Sequence, residues 1–132
     1  MNTDLAVILL AHGTKNPESS QPVYGYAKQL SLQTHLQVEP CLREFIEPSI
    51  PTVVDKLATK GYRTIFVLPF FLFKSAHVTR DIQNDIEIER KKYPDIKFII
   101  GEPLGDDPLL FALLFKRLEE GLKQYPGPLK HT

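Results

Sequence analysis

Four times along the chain a short, continuously apolar run gives way to a stretch with helical spacing. This alternation constrains the fold more than any other feature of the sequence. LAVILLAHG, beginning at Leu5, is rich in branched residues and uninterrupted by charge, as a strand covered on both faces must be. Asn16-Pro17 then starts a helix with Val23, Ala27 and Leu30 on its inner side. LQVEPCLREF reads as a second strand, weakened by the interruption at Pro40, a residue that suits an edge strand. Ser49 opens a helix with Ile50, Val53, Val54 and Leu57 inward and Gly61 as its stop. TIFVLPF is a third buried strand. A helix from His77 to Tyr93 follows, with Val78, Ile82 and Ile86 at four-residue spacing and Pro94 ending it. IKFIIG is the fourth strand, and Asp107-Pro108 starts a last helix reaching about Lys123. Strand-helix alternation of this kind implies a parallel sheet with right-handed crossovers. The expected fold is α/β, a three-layer α/β/α sandwich on a four-stranded parallel sheet. Residues 1–124 form one domain and 125–132 a flexible tail.

Length and composition agree with a single globular unit. The chain has 132 residues, 42% hydrophobic and 24% charged, with 16 basic and 16 acidic side chains. A formal net charge of zero gives no general reason to bind nucleic acid or a membrane surface. The apolar run from Leu5 to Ala11 is too short to span a membrane, and Asp4, not a basic residue, precedes it; it is read as a strand rather than a signal peptide. Cys41 is the single cysteine, so no internal disulfide framework exists, which fits a reducing, cytoplasmic setting.

In an open parallel sheet, ligands bind beyond the carboxyl ends of the strands. The first strand delivers His12, followed by Gly13 and Thr14. The second delivers Arg43 and Glu44. The third delivers the loop with Phe70, Phe71 and Phe73 and then Lys74, Ser75 and His77. Two imidazoles and a carboxylate at one edge are a common ligand set for a divalent transition metal with open positions. Each alone has a plainer explanation: His12 as a hydrogen-bonded loop residue, His77 as part of a helix start, Glu44 as a solvated strand end. His35, at a helix end, and His131, in the tail, are assigned to solvent. Cys41 is read as a small core residue. The three phenylalanines either fill core or form a platform for a flat apolar ligand. Lys15, Arg43, Lys74 and Arg80 fall near the same edge and can pair with ligand carboxylates, or are plain surface charges.

Taken together, LAHGT, LREFIEPSI and VLPFFLFKSAHVTRDI resemble the small sirohydrochlorin chelatases of the class II chelatase family. The resemblance runs from about Leu5 to Leu118. His-Gly is a weak signature alone, whereas P-F-F-L-F-x-x-x-H-V-x-x-D-I is a strong one. Ser75-Ala76 stands where the family often has glycine. The resemblance implies metal-binding and catalytic roles for His12 and His77, an acidic partner in Glu44, and tetrapyrrole contacts from Arg43, Phe70, Phe71, Phe73, Lys74 and Ser75. It implies insertion of a divalent metal, Co2+, Fe2+ or Ni2+, into sirohydrochlorin, serving cobalamin, sirohaem or related tetrapyrrole synthesis. The metal is then a substrate, no cofactor is permanently bound, and two copies of the domain form a homodimer.

Two other functions share these residues. Histidine phosphatases also place His-Gly after a first strand, but they need an arginine before that histidine, and here Ala11 stands there. A non-enzymatic carrier of metal or tetrapyrrole would use the same ligands, and only turnover separates it from an enzyme. The last helix gives an independent reason to expect a partner copy. Leu109, Leu110, Phe111, Leu113, Leu114, Phe115 and Leu118 spread over more than the one apolar stripe a monomer needs.

Overall fold

The computed structural model describes residues 4–13, 15–44 and 46–127. His131 lies outside them. The elements are β1 (Leu5–Ala11), α1 (Gln21–Thr34), β2 (Gln37–Leu42), α2 (Ile50–Thr59), β3 (Thr64–Pro69), α3 (Ala76–Lys92), β4 (Lys97–Ile100) and α4 (Pro108–Leu122). The strands form one parallel sheet in the order β2-β1-β3-β4. Each boundary has a local cause. A single 3-10 turn, Pro17–Ser20, capped by Asn16, precedes α1, so the regular helix starts later than Asn16-Pro17 implied. The second strand stops at Leu42 rather than running on through the LREF segment. There the chain turns toward α2, and the Leu42 N–H donates to Pro48 O at 2.8 Å.

Two apolar layers hold the sheet. On one face, Ile8, Leu10, Ile65, Val67 and Phe98 meet Val53, Val54 and Leu57 of α2 and Ile82 and Ile86 of α3. On the other face, Val7, Leu9, Val38 and Leu42 meet Val23 and Ala27 of α1. The sheet thus carries helices on both faces, as the alternation required. The second layer, however, covers only the β1–β2 half. Phe66 and Leu68 of β3 are half-buried and Ile99 of β4 is 38% exposed, so β3 is not sealed on both faces. The helix that would complete that layer is α4, and α4 buries none of its residues. The sequence led us to expect part of α4 on its own sheet and part on a partner, but none of it lies on the sheet.

Cys41 sits in the core beneath the carboxyl ends of the strands. Burial, with the nearby charges of Glu47 and Asp85 adding to it, pushes its thiol up to about 12, so it remains protonated and inert.

Gly13 brings β1 and β2 together at their ends. Its φ of 96° lies in the left-handed region, and a Cβ there would stand 2.2 Å from the carbonyl oxygen of Glu44. Gly13→Ala must adopt a conformation costing about 1–2 kcal/mol for an L-residue and also push the Glu44 backbone away. We expect a melting temperature at least about 5 °C lower, together with loss of the site geometry described next. Thermal denaturation checks this, and an unchanged transition would refute the role given to Gly13.

Candidate functional site

The switch point of the sheet lies between β1 and β3, whose following helices leave to opposite faces, and such crevices are where open α/β sheets bind ligands. The ladder between β1 and β2 continues past both strand ends. Arg43 N donates to Ala11 O and Glu44 N to His12 O, each at 2.9 Å. This fixes Glu44 beside His12, and the Glu44 Oε2 atom lies 3.2 Å from His12 Nε2. The His12 ring also meets Phe71 edge-on, with centroids 6.3 Å apart.

A second histidine-carboxylate pair stands on α3. Ser75 caps this helix, its side chain accepting from Val78 N at 3.1 Å. His77 therefore falls in the first turn, and Asp81, one turn later, places Oδ2 3.2 Å from His77 Nε2. Arg43 joins the two pairs. Its guanidinium lies 3.0 Å from Glu44 Oε1, 2.9 Å from Asp85 Oδ2 and 3.8 Å from Asp81 Oδ2, with only 19% of the side chain exposed. Three carboxylates thus surround one cation. With both imidazoles neutral, two negative charges remain uncompensated, which is the charge a divalent cation brings. A carboxylate oxygen close to each Nε2 favours a proton there and leaves Nδ1 as the lone-pair nitrogen of each ring.

Sequence reasoning brought His12, Glu44 and Arg43 to one edge, and the structure joins them. His77 meets Asp81 rather than Glu44. Among the described residues, no three His, Cys, Asp or Glu side chains converge closely enough to hold a metal ion as they stand. Asp81 and Asp85 were missed because both read as outward charges of an amphipathic helix. The available signal was the spacing His77, Asp81, Asp85, one residue per turn along a single stripe beside Val78, Ile82 and Ile86.

The aromatic loop divides. Phe70 packs on the α1 side against Tyr26, with centroids 5.5 Å apart. Phe71 packs on the opposite layer and reaches His12. Phe73 is 73% exposed and, with Leu72, stands at the rim. Beneath it a cavity of about 140 Å³ is lined by Phe71, Phe73, Ser75 and Val78, among others. Lys74 pairs with Glu102 at 3.1 Å; Lys15 and Arg80 are exposed. Thr14 lies outside the described residues. No described helix is long and apolar enough to cross a membrane.

Residues 6–121 match the family model described as CbiX. A sirohydrochlorin cobaltochelatase of Sulfurisphaera tokodaii is 35% identical over 117 residues, spanning 89% of this chain and 93% of that protein. A sirohydrochlorin cobaltochelatase of Priestia megaterium is 26% identical over 127 residues, spanning 96% of this chain but only 42% of the relative. The chain thus covers less than half the length of that relative and nearly all of the archaeal one. Among solved structures, the sirohydrochlorin chelatase SirB of Bacillus subtilis subspecies spizizenii, in complex with cobalt, superposes with a TM-score of 0.78 at 24% identity, over 88% of this chain and 50% of that one. That likeness concerns the fold, whereas the match across nearly the whole sequence concerns ancestry: the chain belongs to the CbiX family.

Proposed function

We propose that this protein is a sirohydrochlorin chelatase, inserting a divalent metal into the tetrapyrrole. The observation that carries the reading is the pair of carboxylate-held imidazoles, His12 with Glu44 and His77 with Asp81, on either side of Arg43. Insertion requires two things of a protein. A hydrated cation must be drawn to the site and lose water, and two pyrrole N–H protons must leave as metal–nitrogen bonds form. The surplus negative charge around Arg43 supports the first. Imidazole, whose charge changes near neutral pH, suits the second, since each ring presents a basic nitrogen while its carboxylate steadies the imidazolium that forms. His12, His77 and Glu44 are the groups that handle metal and protons. Arg43 holds the carboxylates in position, and Lys74, Ser75, Phe70, Phe71 and Phe73 form the wall against which the flat ring lies.

Both relatives described above are named for cobalt, and cobalt is the first metal to test; iron and nickel suit the same nitrogen and oxygen ligands. The metal enters as substrate. The lone, buried Cys41 fits a cytoplasmic protein. The working form is a homodimer. A single domain offers one wall to a large macrocycle, and a two-fold partner would supply the other; the chain spans about half the length of the longer relatives.

His12→Ala and His77→Ala are each expected to lower the rate of metal insertion by about 10²–10⁴-fold with little change in melting temperature, since both side chains are exposed. The absorbance change of sirohydrochlorin with cobalt measures this, and near-wild-type turnover by either variant would refute its role. Binding without turnover by the wild-type protein would identify a carrier instead.

Phe73 exposes too much surface to be core filler. Phe73→Ala is therefore expected to weaken binding of metal-free sirohydrochlorin while the melting temperature stays put. A loss of ~3–5 kcal/mol in stability, as for a core Phe→Ala, with unchanged binding would show the opposite.

A further inference from the structure

Asp85 touches neither histidine, yet it makes the shortest of the three carboxylate contacts to the Arg43 guanidinium. Among the described residues its side chain pairs with Arg43 alone. Fastening α3 to the sheet is a poor account of it. Ile82 and Ile86 of the same helix are already buried in the layer against α2 and the strands. An acid that is one-third exposed adds little to such an attachment.

The three acids do not share the guanidinium evenly. Its Nε and Nη2 atoms form one edge, and that edge faces α3. Nε donates to Asp85 Oδ2 at 2.9 Å, and Nη2 lies 3.8 Å from Asp81 Oδ2. Nη1 is left to Glu44, donating to Oε1 at 3.0 Å. A guanidinium is planar and its donors point in fixed directions, so the hold on α3 and the hold on Glu44 are separate attachments. Glu44 is engaged at both oxygens, Oε1 by Arg43 and Oε2 by His12 at 3.2 Å. To take an ion it must give up a partner. A divalent cation arriving there also meets the repulsion of Arg43, unless that charge is held away from it.

Asp85 supplies the hold. When Nη1 loses Glu44, the Nε edge keeps its carboxylate, so a largely withdrawn cation is not stranded. Without Asp85, the firm partner that remains to Arg43 is Glu44, because Asp81 stands 3.8 Å off and itself pairs with His77 at 3.2 Å. The arginine would then cling to the acid that the metal needs.

We infer that Asp85 is a positioning residue for metal capture: it anchors Arg43 on α3, so that Glu44 can exchange the guanidinium for the incoming divalent cation. This deepens the chelatase reading and rests on Glu44 as the acid that handles metal. Asp85 acts through the arginine and does not itself touch the ion.

Calorimetric titration of Co2+ into the protein free of metal and tetrapyrrole, with an absorbance titration of sirohydrochlorin in parallel, tests it. Asp85→Asn is expected to raise the Kd for Co2+ by about 10–100-fold, the range for residues that hold a metal ligand in place. The Kd for metal-free sirohydrochlorin is expected to stay unchanged. Asp85→Ser replaces this variant if its melting transition is lost. In an Arg43→Gln chain the same substitution is expected to cost less than about threefold, because the residue it acts through is gone. Arg43→Met serves if Arg43→Gln does not fold. An unchanged Kd for Co2+ in Asp85→Asn overturns the inference. An equal loss in the Arg43→Gln chain also overturns it, since the charge would then act on the ion directly. So does an equal loss of affinity for sirohydrochlorin, the mark of a site that has come apart. A wild type that binds Co2+ with this dependence on Asp85 but inserts none supports the inference and overturns the chelatase reading. A wild type that binds no Co2+ overturns both.

Discussion

The candidate site depends on one buried-edge interaction, the Arg43 guanidinium among the carboxylates of Glu44, Asp81 and Asp85. It ties the end of β2 to α3, which the sheet order otherwise separates by β1 and β3. Because Arg43 is largely withdrawn from solvent, breaking this cluster would leave its charges poorly compensated, a far larger penalty than at an open surface pair. The two histidines are mostly exposed and have little packing of their own to hold them. Their positions derive from carboxylates, and two of those carboxylates derive theirs from Arg43. The core beneath, with Cys41, Leu42 and Ile82, supplies the rigid base on which the cluster stands.

The cluster also bears on how charge would serve the metal handling proposed for this edge. A site with as many cations as carboxylates would repel nothing and attract nothing. A site with bare carboxylates would repel itself and spread open. One arginine among three carboxylates keeps the acids together while leaving a field that favours a doubly charged ion. The two histidines stand in separate pairs, His12 with Glu44 and His77 with Asp81, so their side chains must draw together before both can share one ion.

Strand-helix alternation made the fold legible, since each apolar run was short, branched and punctuated by glycine or proline. His12, Arg43 and Glu44 were legible because strand ends of a parallel sheet converge. Three features escaped that logic. Asp81 and Asp85 share α3 with strong core residues, so their charge explained itself as solvation, and only the turn-by-turn alignment with His77 marked them. The parting of Phe70 from Phe71 depends on which layer each side chain joins, and adjacent loop residues carry no such label. The bare stretch over β3 and β4 was invisible because TIFVLP reads as fully buried, whereas its alternate residues Phe66 and Leu68 are only half-buried, with no described helix over them.

Pro40 on the edge strand β2 reaches further than its effect on that strand. An open sheet edge is a template on which another chain can add its own strand, and repeated addition gives fibres. Proline deprives this edge of a donor, and β4, at the other edge, is only four residues long and bears Lys97. Both borders of the sheet are therefore poor ground for backbone pairing. Growth of the sheet by addition of strands from other chains is thereby disfavoured, and any contact made at these borders falls to side chains, which bury surface and release it again.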